Sequence, residues 1–220
     1  MHEADELDNW DPPSPAALGE LLGDAPFPWW IAGGWAIDLF LGRPTRAHHD
    51  LDVELLRRDQ RRLRGSLPDW DLRVAVAGEL RPWKPDQWLK EQVFVWARPR
   101  PDSPWAFELM LAEADRDRWV YRRNREITVP LTRFGRYSGD GLPYLDPEVQ
   151  LLAKAKDVRP KDEADFEVAL PRFDAGQRAW LEDAISRTHP GHPWLPRLRG
   201  APPAFPAASR RPPGFRGGRR

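Results

Sequence analysis

Proline constrains this chain more than any other residue: 25 of its 220 residues are Pro, spread along the whole length. Each one removes a backbone donor and fixes φ, so neither a long helix nor a central strand can run through it. The core must be assembled from many short elements. The length suffices to bury such a core as one domain, or as one domain with a small appendage.

Composition excludes several chemistries. Cysteine is absent, which removes disulfides, thiolate nucleophiles, Cys-ligated zinc and iron–sulfur clusters. Lys plus Arg number 34 and Asp plus Glu 34, so a globally basic nucleic-acid binder is not indicated. No run approaches the roughly 18 apolar residues of a membrane helix, so no membrane partner is expected. Met1 to Pro13 is acidic with no apolar segment and does not read as a signal peptide, and a cytoplasmic location is expected. The 12 Trp serve as large packing groups and require no ligand. Arg outnumbers Lys by 29 to 5, so the clustering of Lys154, Lys156 and Lys161 stands out.

Three regions are expected: an α/β core over 1–140, a helical region over 141–200, and a disordered tail over 201–220. The tail holds five Pro, five Arg, three Gly and no acid, which cannot bury enough apolar surface to offset ordering. Without its charges the remainder carries 29 − 34, or −5. In the core, Ser14 and Pro15 start a helix to Leu22, and Trp29–Ala32 is a short strand. Gly33-Gly34 opens a helix that Gly42 ends. Alternation predicts strands at 50–56, 72–78, 92–98, 105–111, 119–123 and 126–131, with a short helix over 59–64. Helices are expected over 147–156, 161–170 and 175–187, with Arg159-Pro160 breaking the first from the second and Asp174 capping the third.

The chemistry concentrates in a few places. On a strand, Asp50, Asp52 and Glu54 share one face, while Leu51, Val53 and Leu55 share the other. Adjacent carboxylates repel unless a cation or a proton intervenes, so this is either a divalent-metal site suited to Mg²⁺ or a solvated acidic edge. Gly33-Gly34, between a strand and a helix, lets a phosphate approach backbone N–H groups, or simply makes a tight turn. Glu108 sits mid-strand between apolar residues and must reach solvent, join a charged site or pair with an Arg across the sheet. The histidines form no ligand set, because His48 and His49 point opposite ways and His189 and His192 flank a turn.

The stretch Ile31-Ala32-Gly33-Gly34-Trp35-Ala36-Ile37-Asp38, followed by Gly42-Arg43-x-Thr45-Arg46-x-x-x-Asp50-Leu51-Asp52, resembles the signature of the aminoglycoside and lincosamide nucleotidyltransferases. These form a branch of the polymerase-β-like superfamily. The resemblance is densest over residues 29 to 56, and Arg159-Pro160-Lys161-Asp162-Glu163-x-Asp165-Phe166 is similar to a segment of the family's helical domain. It implies an α+β fold, in which a mixed sheet flanked by helices precedes a small helical C-terminal region. It further implies that Asp50 and Asp52 bind Mg²⁺, that Glu108 completes a triad serving two metals or takes the acceptor's proton, and that Gly33 and Gly34 face the phosphates of an NTP. Arg46, Lys154 and Lys161 would meet the triphosphate. On one helix Lys154 and Lys156 lie about 200° apart, so at most one should face the cleft. Relatives commonly carry Asp as the third acid, closer to the first pair, and residues 71–100 read here as an added hairpin.

The implied activity is transfer of an NMP group, AMP in an adenylyltransferase, from an NTP to a hydroxyl of a small molecule such as an aminoglycoside- or lincosamide-like antibiotic, as in antibiotic resistance. The alternatives are a toxin-like nucleotidyltransferase acting on RNA or protein, a non-catalytic nucleotide-binding relative, and an interaction protein with an acidic edge strand. The acceptor and the oligomeric state are open at this level.

Overall fold

The computed structural model describes residues 7–200; the expectations for the tail at 201–220 and for the first six residues lie outside them. Ser14 caps α1 (Pro15–Leu22), its side chain accepting from the Ala17 N–H, with Pro15 at the first helical position. The buried strand β1 (Trp29–Ile31) leads into α2 (Gly33–Leu41). That helix stops where Gly42 turns left-handed at φ 69°. Next come β2 (Asp52–Leu56), a 3-10 turn over Arg57–Asp59, and α3 (Gln60–Ser66).

The remaining strands are β3 (Asp71–Val76), β4 (Glu79–Pro82), β5 (Phe94–Arg98), β6 (Phe107–Asp115), β7 (Arg118–Val120), β8 (Thr128–Pro130), β9 (Gly135–Tyr137) and β10 (Pro143–Leu145). Four helices follow: α4 (Pro147–Lys154), α5 (Pro160–Ala169), α6 (Ala175–Thr188) and α7 (Trp194–Leu198). Among the described residues no helix is long and apolar enough to cross a membrane.

The ten strands form one mixed sheet in the order β4-β3-β5-β6-β2-β1-β10-β9, with β7 joining β6 to β8. At its centre β2 runs parallel to β6 and antiparallel to β1, while β1 runs parallel to β10. Alternation decides which face is buried. Val53 and Leu55 on β2, with Phe107 and Leu109 on β6, have no exposed surface, whereas Asp52, Glu54 and Glu108 stand on the opposite face. Burying each such apolar side chain contributes about 1.5–3 kcal/mol. A slip of one residue would drive the carboxylates into the core, so the register is strongly specified.

Several expectations shift in position. The acidic strand begins at Asp52 rather than Asp50, because the residues before it form a loop tied back to α2. Pro160 begins α5 instead of standing outside it, and Arg159 and Asp162 form a reciprocal cap around it. The added segment is a hairpin plus a return strand: β3 and β4 meet at Ala77 and Gly78, both with positive φ, and β5 then inserts between β3 and β6. The strands β4, β9 and β10 and the helix α7 were not anticipated. Each is only three to five residues long, and β4 is mostly exposed and charged, too short a run for any periodicity to register.

Candidate active site

The glycine pair is required by what closes around it. Gly33 has φ +65°, and a Cβ there would lie 2.0 Å from Asp52 Oδ2. A Cβ on Gly34 would lie 2.1 Å from Arg46 Nη2 and 2.5 Å from His48 Cε1. Any side chain at either position would collide with a group of the site. The Gly33 N–H donates to Gln150 Oε1 at 2.8 Å, so a helix beyond the last strand holds the turn. On the other side of α2, the buried Asp38 accepts from the Thr45 backbone N–H at 3.0 Å and hydrogen-bonds His48 Nε2 at 2.6 Å. That pair of bonds fixes the loop carrying Arg46 and Asp50.

The parallel register places Asp52 opposite Glu108 on neighbouring central strands. Burial, reinforced by Asp50, pushes the Asp52 carboxyl up to about 6. Burial, then the charge of Asp52, pushes Glu108 up to about 7, although the Trp96 indole donates to it at 2.6 Å. Glu54, one pleat along from Asp52, rises to about 8 through burial and the same neighbour. The arginine partner considered for Glu108 is replaced by this indole. Asp50 lies before the strand, 3.8 Å from Lys161 Nζ, with its side chain 42% exposed.

Among the described residues no three carboxylate or imidazole groups stand gathered as a ready-made metal centre. The donor set still fits a hard cation. Asp50, Asp52 and Glu108 supply oxygen ligands to one cavity, and the raised protonation of Asp52 and Glu108 reflects burial and negative charge that a divalent ion would relieve.

The cations are placed unequally. Lys154 is buried and bridges Asp162 at 2.8 Å and Asp165 at 2.9 Å. Arg46 forks onto the same Asp165 at 2.9 and 3.2 Å. Both therefore line the cavity with their charge already shared. Lys161 is half-exposed beside Asp50 and also lines the cavity. Lys156 pairs with Asp157 at 3.1 Å and also lines the cavity, against the expectation that only one of Lys154 and Lys156 would. The helical spacing argument does not reach it, because α4 ends at Lys154.

The cavity has a volume of about 500 Å³. Gly33, Gly34, Arg46, Lys154 and Lys161 line it, and so do Phe94, Met110, Trp119, Tyr121 and Glu54, with Met110 in register with both Glu54 and Phe94 on the sheet. Cationic and N–H groups thus share one cavity with aromatic and acidic side chains. Sequence reading missed Gln150, Asp38 and the paired role of Asp162 and Asp165. The spacing of Asp162 and Asp165, i and i+3 on one helix, was the available signal for the last two; Gln150 offered none.

The family model for aminoglycoside-2''-adenylyltransferases matches residues 16–81. That span contains Gly33, Gly34, Arg46, Asp50 and Asp52, and stops short of Glu108 and the lysines. The 2''-aminoglycoside nucleotidyltransferases of Klebsiella pneumoniae and Escherichia coli are each 30% identical to the chain over 95 residues, 39% of this chain and 54% of theirs. The chain spans about half the length of these curated relatives. The crystal structure of ANT(2'')-Ia in complex with adenylyl-2''-tobramycin superposes with a TM-score of 0.54 at 16% identity, covering 79% of this chain and 97% of that chain. At that identity the likeness is one of fold, and it is the mixed-sheet nucleotidyltransferase fold. The sequence resemblance to aminoglycoside nucleotidyltransferases holds over the N-terminal part of the chain.

Proposed function

We propose that this chain is a Mg²⁺-dependent nucleotidyltransferase that moves an NMP group, AMP from ATP in the first instance, to a hydroxyl of a small molecule, in the cytoplasm. The observation that carries the reading is the Asp52–Glu108 pair, set opposite each other across parallel strands beside the Gly33 turn and within one cavity. Sequence similarity to 2''-aminoglycoside nucleotidyltransferases supports an aminoglycoside-like acceptor. The acidic and aromatic side chains among the cavity's lining suit such a cationic, hydroxylated molecule, and a lincosamide-like acceptor is tested beside it.

In this reading the Gly34 end of α2 and the Lys161 ammonium receive the triphosphate. Lys154 and Arg46, anchored on Asp165, supply fixed positive charge behind it. Asp50, Asp52 and Glu108 would hold two Mg²⁺ ions, which when bound neutralise charge on the phosphates and align attacking and leaving oxygens. The acceptor hydroxyl oxygen attacks the α-phosphorus, its bond to the pyrophosphate bridge breaks, and pyrophosphate leaves. The hydroxyl proton passes to the Glu108 carboxylate, which faces the cavity. The deciding assay incubates purified protein with Mg²⁺ and each of the four NTPs against a panel of aminoglycosides, lincosamides and RNA, reading pyrophosphate release. Release that depends on an aminoglycoside or lincosamide is expected. Release only with RNA, or with no acceptor at all, overturns the proposal.

A further inference from the structure

Several polar groups line the cavity without a part in the proposed chemistry, and Gln150 is the one that touches the glycine turn. Gln150 lies on α4, is only 5% exposed and lines the cavity beside the glycine turn. Its amide orientation is fixed by its neighbour. The Gly33 N–H, 2.8 Å away, can be met only by the carbonyl oxygen, since an NH₂ group there would set donor against donor. The NH₂ end is thereby turned away from the turn. Among the described residues four buried side-chain atoms lack a hydrogen-bond partner, and Gln150 Nε2 is not one of them. Among the described residues nothing pairs with Nε2 and it is not sealed from solvent, and the residue that carries it lines the cavity.

Water can reach this donor, but a ligand acceptor in the cavity would meet it already oriented, with little ordering left to lose. Such an acceptor would share the cavity with Gly34, Arg46, Lys154 and Lys161, which bring positive charge and N–H groups. We infer that Gln150 is a nucleotide-binding residue, whose carbonyl pins the glycine turn while its NH₂ donates to a phosphoryl oxygen of the bound triphosphate. One side chain would then set both the conformation of the phosphate-binding turn and a direct contact to the phosphate. This inference rests on the nucleotidyltransferase reading above.

Two substitutions separate these roles. Gln150→Glu keeps an acceptor for the Gly33 N–H and removes the donor. Gln150→Met keeps the length, adds no charge and removes both. Titration calorimetry with Mg²⁺·ATP and with inorganic tripolyphosphate should show both variants binding each probe ten-fold or more weakly than the parent. The Gly33 amide resonance, followed by NMR, should stay near its parental position in Gln150→Glu and move in Gln150→Met. If Gln150→Glu retains the parental affinity, the residue serves only the turn and the inference fails. Weakening in Gln150→Glu alone, with Gln150→Met binding as the parent does, assigns the effect to added charge and also overturns it. Loss for ATP without loss for tripolyphosphate moves the contact off the phosphate. A parent protein that binds neither probe removes the nucleotidyltransferase reading itself, whereas a binding parent with unaffected variants removes only the role of Gln150.

Discussion

Asp52 and Glu108 face each other across parallel strands, and their protonation carries a signature that can be measured. Burial first, and a neighbouring carboxylate second (Asp50 for Asp52, and Asp52 for the other two), hold Asp52, Glu108 and Glu54 protonated up to about 6, 7 and 8, against about 4 for carboxylates in an unfolded chain. Between those limits the folded state binds more protons than the unfolded one. Their contribution to stability is therefore full below about pH 4 and is lost as pH rises through about 8. In EDTA, the urea midpoint should fall from pH 5 to pH 8, and Glu54→Gln should flatten the upper part of that fall. A midpoint that is level or rising over this range would contradict the buried carboxylate face. Asp52→Asn removes one of the opposed charges, so it should leave apo stability intact or raise it while lowering Mg²⁺-dependent turnover on the order of 10²-fold or more. Glu108→Gln still accepts from the Trp96 indole, so it should fold like the parent and lose kcat with NTP affinity largely kept. At this scale Asp52 and Glu54 were legible as one polar face because alternation on a strand marks it, whereas Asp50 lies in the loop before that strand. Gln150 and Asp38 were not, because a polar residue inside a helix carries no mark of what lies opposite it in space.

Helix α5 buries Phe166 and Ala169 in the core and is also joined to α4 and to the Arg46 loop through charge. Its Asp162 and Asp165 take Lys154 from α4, and Asp165 also takes Arg46. Burial pushes the Asp162 carboxyl up, but hydrogen bonds from Arg159 and Lys154 outweigh it and bring it down to about 2. Breaking such a pair from one side leaves buried carboxylates without compensation, which costs about 3–5 kcal/mol. Lys154→Ala should lower unfolding free energy by about that amount, whereas Lys161→Ala, on a half-exposed side chain, should barely change it and act on the KM for NTP instead. Urea unfolding and steady-state kinetics on the two variants check both halves; equal stability losses would mean that α5 is not held by Lys154. The helices themselves were readable from Pro147 and Asp174, which start α4 and α6, and from Arg159-Pro160, read as the break between α4 and α5 although Pro160 itself opens α5. The strands β9 and β10 were not, since three residues containing Gly135 or Pro143 show no alternation, and only the pairing of β10 with β1 makes them part of the sheet.

For the molecule as a whole, the sheet brings the acidic face of residues 50–54 and Glu108 together with the cations of residues 46 and 154–161, segments up to about a hundred positions apart in sequence. The resemblance placed the Asp pair and the glycines in one site, but only the parallel pairing of β2 with β6 sets Glu108 across from Asp52. A site built of opposed charges should be strongly stabilised by the ligand that balances them. Binding to the folded state alone adds RT ln(1 + [L]/Kd), about 2.7 kcal/mol at a hundred times Kd. For a chain of this length, each kcal/mol raises Tm by about 2–4 °C. Saturating Mg²⁺ with a non-hydrolysable ATP analogue should therefore raise the melting temperature by about 5 °C or more, with Mg²⁺ or nucleotide alone giving less. An interaction protein with an acidic edge strand would show no such shift from the pair. The same melt and the same turnover assay, repeated on a chain ending at Gly200, test whether the basic residues 201–220 take part. A small-molecule acceptor predicts both unchanged, because the phosphate-binding and carboxylate groups all lie before that point. Loss of turnover on truncation, with the nucleotide-dependent shift retained, would instead point to an acceptor recognised through that segment, as an RNA would be.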